Sequence, residues 1–180
     1  MENQPGSVIL ESERLLLRPL RVSDAEMVFR NWASDPEVTK YMLWNTHENT
    51  DVTQEWLATR EDNMDSTDAY DWGIVIRDTG ELIGSIGAYK TQEDDRYSVG
   101  YCIGRKYWRN GYTPEALRCM LNYLVTQAGI RHFVADHAVM NPASGVVMMK
   151  AGFVYFGEGT MKSFDGQRTF PMKRYHLDKV

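Results

Sequence analysis

The chain has 180 residues, 43% of them hydrophobic and 25% charged, with a formal net charge of −5, which fits one globular domain over residues 1–180 with a loose segment at 1–9. It carries no basic tract suited to nucleic acid, no apolar run near the roughly 20 residues that span a bilayer, and no metal-binding spacing at Cys102 and Cys119. We therefore expect a cytoplasmic protein without nucleic-acid, membrane or metal partners.

The first half of the chain predicts a strand, two helices and a hairpin. The predicted elements are a strand at 15–17, a helix opened by the capping box at 23–26, a helix at 52–64, and strands at 72–77 and 82–89. Asp35-Pro36 ends the first helix, because a residue before proline disfavours helical backbone. Asp78-Thr79-Gly80 is a turn signal that joins the two strands as a hairpin.

The second half of the chain alternates strands with helices. The predicted elements are a strand at 97–103, a helix that ends before Gly129, a strand at 132–139, a helix at 142–151, and strands at 153–157 and 169–177 with a turn near Asp165-Gly166. A strand–helix–strand crossover runs parallel, whereas a hairpin is antiparallel. The order of elements therefore predicts an α/β (α+β) fold with helices against one mixed sheet.

The turn between strand 97–103 and the next helix has the composition of an anion site. Its cations are Arg105, Lys106 and Arg109. Thr113 is expected at the N-cap and Pro114 at the first helical position, while Gly111 lets the backbone approach a ligand. Free amides at a helix start bind anions such as a diphosphate. The same residues also fit an ordinary strand-to-helix loop, so spacing alone leaves both interpretations open.

Two blocks of sequence carry a family resemblance. The first has Gly100, Tyr101, Trp108, Gly111, Tyr112, Glu115 and Ala116 in the order G-Y-x6-W-x2-G-Y-x2-E-A. The second, residues 141–153, reads N-x2-S-x2-V-x2-K-x-G-F, and the opening at 13–18 is also typical. Together they resemble the GNAT acetyltransferases, particularly the RimJ/RimL-type branch, over about residues 10–177.

The resemblance implies a fold and a cosubstrate. The fold is a mixed, mostly antiparallel seven-stranded sheet that is splayed into a V and flanked by about four helices. The cosubstrate is acetyl-CoA, without a metal, and its pantetheine arm pairs with backbone at Tyr101 and Ile103. The pyrophosphate is matched to the amides of Arg109, Asn110, Gly111, Tyr112 and Thr113. Asn141 is matched to a residue that faces the cofactor arm, and its position also suits a helix N-cap.

The sequence departs from the family pattern at several positions. Gly is frequent in the branch where Arg109 stands, and a small residue is usual where Thr113 stands. Ser98 occupies a position that is often acidic. Met148 replaces a tyrosine that serves many members as an acid, so that a tyrosine acid at this position is excluded.

Acetyl transfer requires a neutral amine and benefits from an acid for the departing thiolate. Ser144 is the candidate acid, although its hydroxyl also suits a helix start. His137 is the candidate base, because histidine titrates near neutral pH, but a lone strand histidine is more often packed. His47, Glu48 and water remain alternatives. Neither cysteine is expected to act as a nucleophile.

The sequence therefore predicts an N-acetyltransferase that transfers acetyl directly to a primary amine. The acceptor is either a protein N-terminus or a small molecule such as an amino acid, a polyamine or an antibiotic, and the protein is a monomer or a homodimer. A non-catalytic acyl-CoA-binding regulatory module is the main alternative. An unrelated binder of phosphate ligands is a third possibility.

Overall fold

A computed structural model of the chain describes residues 8–92 and 95–179, so that most of the loose segment expected at 1–9 lies outside the described residues. The strands are β1 (Leu10–Glu11), β2 (Leu15–Arg18), β3 (Ala69–Ile76), β4 (Leu82–Lys90), β5 (Tyr97–Ile103), β6 (His132–Ala138), β7 (Val154–Lys162) and β8 (Thr169–Asp178). The helices are α1 (Ala25–Val28), α2 (Pro36–Thr39), α3 (Thr50–Asp62), α4 (Tyr112–Thr126) and α5 (Pro142–Lys150).

The strands form one sheet in the order β1-β2-β3-β4-β5-β6-β8-β7. Among the described strands only β5 and β6, which α4 connects, pair in parallel, and every other pair is antiparallel. This confirms the predicted mixed, mostly antiparallel GNAT-type sheet. The sheet has eight strands rather than seven because the two-residue β1 pairs with β2. Two residues are too few to show a strand period in the sequence.

The N-terminal helices differ from the prediction in two ways. Five helices are described rather than four, because Pro36 occupies the first position of α2 and the Asp35 side chain caps that helix on the Glu37 amide (3.0 Å). Proline therefore starts a helix here as well as ending one. In addition, α1 continues into a π-helical turn at Phe29–Ala33, which buries Trp32. The extra residue in a π turn shifts the helical period that the sequence predicts.

The start of α4 is also corrected. Gly111, with φ +76°, is the N-cap, and the helix begins at Tyr112. Thr113 and Pro114 are therefore the second and third helical residues rather than the N-cap and the first. A left-handed glycine turns the chain into the helix two residues early, and Pro114 is still within the first turn, where no amide hydrogen is required.

Two apolar clusters cover the two faces of the sheet. On one face, α4 buries Leu117, Met120 and Leu124 against strand residues that include Trp72 and Phe133. On the other face, the N-terminal helices bury a second set of side chains, among them Leu20, Val28, Trp32, Leu57, Val75 and Cys102. Within the described parts of the chain, no helix is both long and apolar enough to cross a membrane.

The parallel pair at the centre of the sheet is short. β5 and β6 pair only at Tyr97 with Phe133 and at Ser98 with Val134, although β5 continues to Ile103 and β6 to Ala138. Beyond these two pairs the strands separate, and the sheet opens as a V.

Candidate active site

The opening between β5 and β6 is a cleft of about 560 Å³. Strands β3, β4 and β5 supply its floor, and β6 with the start of α5 supplies one wall. The opposite wall comes from α3, the loop after α2 and the β7–β8 turn. Its aromatic and sulfur-containing side chains are Tyr41, Met42, Trp44, Trp56, Tyr89, Tyr101, Cys102, Met148, Met161 and Phe164. The cleft is therefore largely apolar, as small-molecule sites usually are.

The edge of β5 that faces the cleft has free backbone groups. The Gly104 amide donates to the Ile83 carbonyl (2.9 Å), which fixes the hydrogen-bonding alternation between β4 and β5. In an antiparallel pair every second residue bonds to the neighbour, so the amides of Tyr101 and Ile103 point away from β4 towards the opening. The Ile103 carbonyl accepts a bond from the Trp108 indole (2.9 Å). The Tyr101 backbone and the Ile103 amide are thus available to an extended ligand.

The start of α4 lies at the end of the turn that follows β5. Gly111 and Arg109 both have positive φ, at +76° and +64°. The Asn110 side chain donates to the carbonyls of Tyr107 and Trp108 (both 3.1 Å), which holds the turn closed. The amides of the first helical turn have no intrahelical partners, so they and the helix dipole suit an anion here.

Arg14, the residue before β2, holds this turn in place, and the sequence alone did not assign it that role. Its guanidinium donates to the Asn110 carbonyl (3.0 Å), forms an ion pair with Glu115 (2.6 Å) and lies over the Tyr112 ring (4.7 Å). Burial opposes ionisation of Glu115, but hydrogen bonds from Arg14 and Ser12 lower its pKa overall. The motif at 13–18 was the available signal, but nothing in the sequence placed Arg14 beside this turn.

Arg109 adopts a left-handed backbone conformation that costs other residues about 1 kcal/mol relative to glycine. Arg109→Gly is therefore expected to raise the free energy of unfolding by about that amount, whereas Arg109→Ala keeps the unfavourable φ and gains nothing. Both variants remove the same cation, so coenzyme A affinity should fall equally in the two. Denaturant unfolding and titration calorimetry measure these effects, and equal stability of the two variants would contradict the backbone explanation.

The start of α5 brings Ser144 to the β5 wall. The Tyr101 hydroxyl donates to the Ser144 carbonyl (3.0 Å) and stands 2.9 Å from Ser144 Oγ. Burial raises the pKa of Tyr101, so that its phenol remains protonated. Asn141 is the N-cap residue by position, but its side chain makes no capping hydrogen bond, and it lines the cleft with Ser144.

His137 also borders the cleft, but it is buried among partners. Its Nδ1 lies 2.8 Å from the Ala138 carbonyl oxygen, which can only accept, so Nδ1 donates this hydrogen bond. Nε2 faces the Tyr175 hydroxyl (3.3 Å) and lies so close to Gly145 that a Cβ there would be 2.6 Å away. The ring thus connects β6, β8 and α5. The other predicted bases, His47 and Glu48, lie outside the lining of the cleft.

The two cysteines lack the properties of nucleophiles. Cys102 is buried, which raises its pKa to about 12. Burial and the nearby charge of Glu115 raise the pKa of Cys119 as well. Because the thiolate is the reactive form, both thiols are inert near neutral pH. In the described part of the chain, no group of three or more His, Cys, Asp or Glu side chains is placed to hold a metal ion.

A polar cluster inside the cleft was missed at the level of sequence. Asp71 of β3 accepts hydrogen bonds from Arg60 Nη1 (3.1 Å) and from the Tyr89 hydroxyl. The guanidinium of Arg60 lies between the rings of Trp56 (5.2 Å) and Tyr89 (5.3 Å). All four of these residues line the cleft, and their contacts attach α3 to the sheet.

The far wall of the cleft is closed by two segments, residues 40–45 and 163–168, which we call the clasp. The Arg168 guanidinium donates to the carbonyls of Met42 (3.1 Å) and Trp44 (2.9 Å) and to the Asn45 side chain (3.0 Å). The Phe164 amide adds a bond to the Leu43 carbonyl (2.7 Å). Arg168 therefore fixes the wall that carries Trp44 and Phe164.

Arg168→Ala is expected to raise the KM for the acceptor about tenfold and to leave coenzyme A affinity unchanged, because the clasp borders the cleft away from α4. Loss of charge-assisted bonds should also lower the free energy of unfolding by about 2 kcal/mol. Arg168→Lys keeps the charge but not the planar fork, and should be intermediate. Steady-state kinetics and calorimetry test this. A parallel loss of affinity for both ligands would instead indicate a general effect on the fold.

The protein has an α/β fold whose opening between parallel strands, with a free strand edge on one side and a helix N-terminus nearby, suits an extended, phosphate-bearing ligand. The family comparison specifies the class further. Residues 14–154 match the family model described as acetyltransferase (GNAT) domain, and the chain belongs to this family. It is an acyltransferase of the kind that uses acetyl-CoA.

Individual proteins support this assignment. The uncharacterized N-acetyltransferase YoaA of Bacillus subtilis is 32% identical over 164 residues, which cover 91% of each chain. The ribosomal-protein-S5-alanine acetyltransferase of Vibrio fischeri has the same fold, with a TM-score of 0.81 at 16% identity over 95% of this chain and 96% of that one. The solved structure of the Microcin C7 self immunity acetyltransferase MccE, in complex with acetyl-CoA and AMP, has a TM-score of 0.77 at 16% identity, over 93% of this chain and 94% of that one.

Proposed function

We propose that this acetyltransferase moves the acetyl group of acetyl-CoA directly to a primary amine, either a protein N-terminal α-amine or the amine of a small molecule. One observation carries the proposal: the free edge of β5 leads from the cleft to the helix start at Gly111. A single extended molecule with a diphosphate at one end and a thioester at the other fits this path. The solved structure of MccE with acetyl-CoA supports the choice of ligand.

The residues along the path have separate tasks in this proposal. The backbone of Tyr101 and Ile103 pairs with the pantetheine amides, as an additional strand would. The amides from Arg109 to Thr113, with the dipole of α4, hold the pyrophosphate. Asn141 faces the same arm from α5. Acetyl-CoA supplies the activated acetyl group, and these protein groups bind and orient it.

Acetyl transfer then requires a donor that polarises the thioester carbonyl and an acid that protonates the departing thiolate of coenzyme A. A β5 amide near Ile103 that points into the opening, other than those that pair with the pantetheine arm, is suited to stabilise the thioester carbonyl oxygen. Ser144 is placed across the cleft to donate a proton to sulfur. His137 has both ring nitrogens occupied, so we assign it to positioning α5 rather than to accepting the amine proton.

Membership of the RimJ/RimL-type branch, and with it an N-terminal α-amine as acceptor, is the favoured form of the proposal. The two sequence blocks and the similarity to the Vibrio fischeri ribosomal-protein acetyltransferase support it. The cleft is open and largely apolar, and its two acidic residues, Asp71 and Asp136, each lie beside an arginine, which suits an acceptor with one ammonium group better than a polyamine with several.

Thiol release from acetyl-CoA tests the proposal directly. The acceptor panel contains short peptides that begin with alanine or serine, phenethylamine, free lysine, spermidine and an aminoglycoside. Release that rises with one amine is the expected result, with peptides the fastest. A thermal shift with coenzyme A but no turnover with any acceptor would favour the non-catalytic module instead. A shift with nucleotides and none with coenzyme A would indicate an unrelated phosphate binder.

A further inference from the structure

The cleft contains a carboxylate at a position that the proposed chemistry leaves without a role. Asp71 of β3 pairs in register with Gly87 of β4, which in turn pairs with Gly100 of β5. The three residues share one face, and two strand spacings place the Asp71 backbone about 10 Å from that of Gly100. Gly100 is the residue before Tyr101, so the carboxylate shares one floor with the strand along which the proposed function places the pantetheine arm.

Two glycines, Gly87 and Gly100, leave space on the floor of the cleft between the Asp71 carboxylate and β5. A Cβ at Gly87 would lie 2.7 Å from Asp71 Oδ1 and 2.6 Å from the Tyr89 hydroxyl, so a larger residue would displace both groups. A Cβ at Gly100 would meet nothing within 4 Å, which means that space is open above β5. An amine that enters between the aromatic wall and β5 would therefore stand between Asp71 and the strand edge.

The surroundings of Asp71 hold it in place without cancelling its capacity to accept protons. Burial raises the pKa of Asp71, while the Arg60 charge and hydrogen bonds from Arg60 and Tyr89 oppose the shift. Burial and the Asp71 charge raise the pKa of Tyr89, so its hydroxyl keeps its proton and donates to Asp71, while it accepts from Arg60 Nη1 (3.3 Å). Cys102, on the same face of β5, is a neutral thiol because burial raises its pKa. Each carboxylate oxygen retains a second lone pair for the ligand.

We propose, building on the acetyl transfer argued above, that Asp71 attracts the ammonium group of the acceptor into the cleft and takes its proton through intervening water. The carboxylate removes one proton from R-NH3+, and the neutral amine nitrogen attacks the thioester carbon. The C–N bond forms, the C–S bond breaks, and the electron pair leaves on sulfur. A second proton passes from nitrogen to sulfur by way of Ser144, which gives the amide and the free thiol. Asp71 returns its proton to solvent.

Asp71 fits this role better than the other titratable groups of the cleft. Asp136 is the other carboxylate in the lining, but it lies on β6 beside Arg174 (3.4 Å), on the opposite wall. His137 faces Tyr175 and Gly145 beneath α5, not the open floor. Arg60 is a permanent cation. Of the groups described in the lining, Asp71 alone combines a negative charge with the glycine floor that leads to β5.

The test is the pH dependence of Asp71→Asn with the fastest amine of the panel. Below the pKa of that amine, kcat/KM should fall about 100-fold, the usual size of general base catalysis. Above that pKa the deficit should shrink below about fivefold, because solvent then supplies the neutral amine. Asp71→Glu should recover part of the activity. A purely structural role predicts instead an equal loss at every pH, which would overturn the proposal.

Two controls keep the outcome interpretable. Coenzyme A should still raise the melting temperature of Asp71→Asn, which shows a folded variant with an intact cosubstrate site. If coenzyme A no longer stabilises Asp71→Asn, the pH profile of Asp71→Glu is used instead. A profile like that of the wild type supports the proposal, and an equal loss of kcat/KM at every pH overturns it. Asp136→Asn removes the matched charge on the opposite wall and should cost far less, so an equal loss overturns the assignment to Asp71. Absence of amine-dependent release from the unaltered protein would contradict the proposed function itself, before any variant is made.

Discussion

Gly111→Glu is expected to abolish coenzyme A binding, with a loss of affinity of about 100-fold or more. Gly111 has φ +76° and is the N-cap of α4, so a side chain there would begin beside the free amides of the first turn, with its Cβ 3.5 Å from Arg14 Nη2. A carboxylate at this position would compete for those amides and repel the diphosphate, whose charge-assisted bonds would be the strongest contacts in the proposed complex. Titration calorimetry with coenzyme A measures the effect.

Gly129→Glu is the matched control for this variant. Gly129 follows the other end of α4, has φ +73°, and has open space around its Cβ position. The two variants therefore introduce the same charge and the same unfavourable backbone conformation, and differ only in their distance from the proposed phosphate site. Gly129→Glu should lower stability and keep the affinity for coenzyme A. Similar affinities of the two variants would remove the α4 start from the proposed role.

The strands that position the site were predictable because they carry strong local signals. Residues 97–103 place Tyr97, Val99, Tyr101 and Ile103 on one apolar face and are followed by Gly104, and β5 has the predicted bounds. The turn 105–111 was predicted from its cations and glycine, and its link to the preceding strand is covalent. The local sequence pattern is therefore enough to locate β5 and the turn that follows it, the two neighbouring segments along which the cosubstrate is proposed to bind.

The polar cluster of the cleft was not predictable in the same way. Asp71 lies in β3 between two aromatic residues, Tyr70 and Trp72. Its pairing with Gly87 is set by the β3–β4 hairpin rather than by any property of Asp71. Arg60 comes from a helix whose placement depends on tertiary packing. The clasp has the same character, since Arg168 contacts residues more than 120 positions earlier in the chain. Such long-range contacts form only when the sheet has assembled, so the spacing of apolar residues in the sequence cannot predict them.

His137 illustrates the limit for individual residue types. Its position at the end of β6 was predicted to border the V, and the ring does lie there. Whether the ring can reach a substrate depends on the residues packed against its Nε2 atom, and Gly145 and Tyr175 occupy that side of the ring. A histidine that faces a glycine at such short range is held by the close approach of a helix, which the sequence shows only as a glycine inside α5.

Ser144→Ala is expected to lower kcat about 100-fold, the usual contribution of a positioned acid, and to change coenzyme A affinity less than about twofold. The start of α5 does not depend on the hydroxyl, because the Ser144 backbone amide already donates to the Asn141 carbonyl (3.2 Å). The Oγ instead faces the Tyr101 hydroxyl, whose own proton is directed to the Ser144 carbonyl. Rapid-quench kinetics with the fastest amine separate this chemical step from product release.

Tyr101→Phe distinguishes the donor from its support. This variant keeps the Ser144 hydroxyl but removes the phenol that orients it, so kcat should fall about tenfold, less than in Ser144→Ala. In the double variant the loss should equal that of Ser144→Ala alone, because an orienting group has no effect once the oriented hydroxyl is gone. Additive losses would mean that Tyr101 acts on the reaction independently. Wild-type turnover by Ser144→Ala would leave Ser144 as a helix-start residue and assign protonation of the thiolate to solvent.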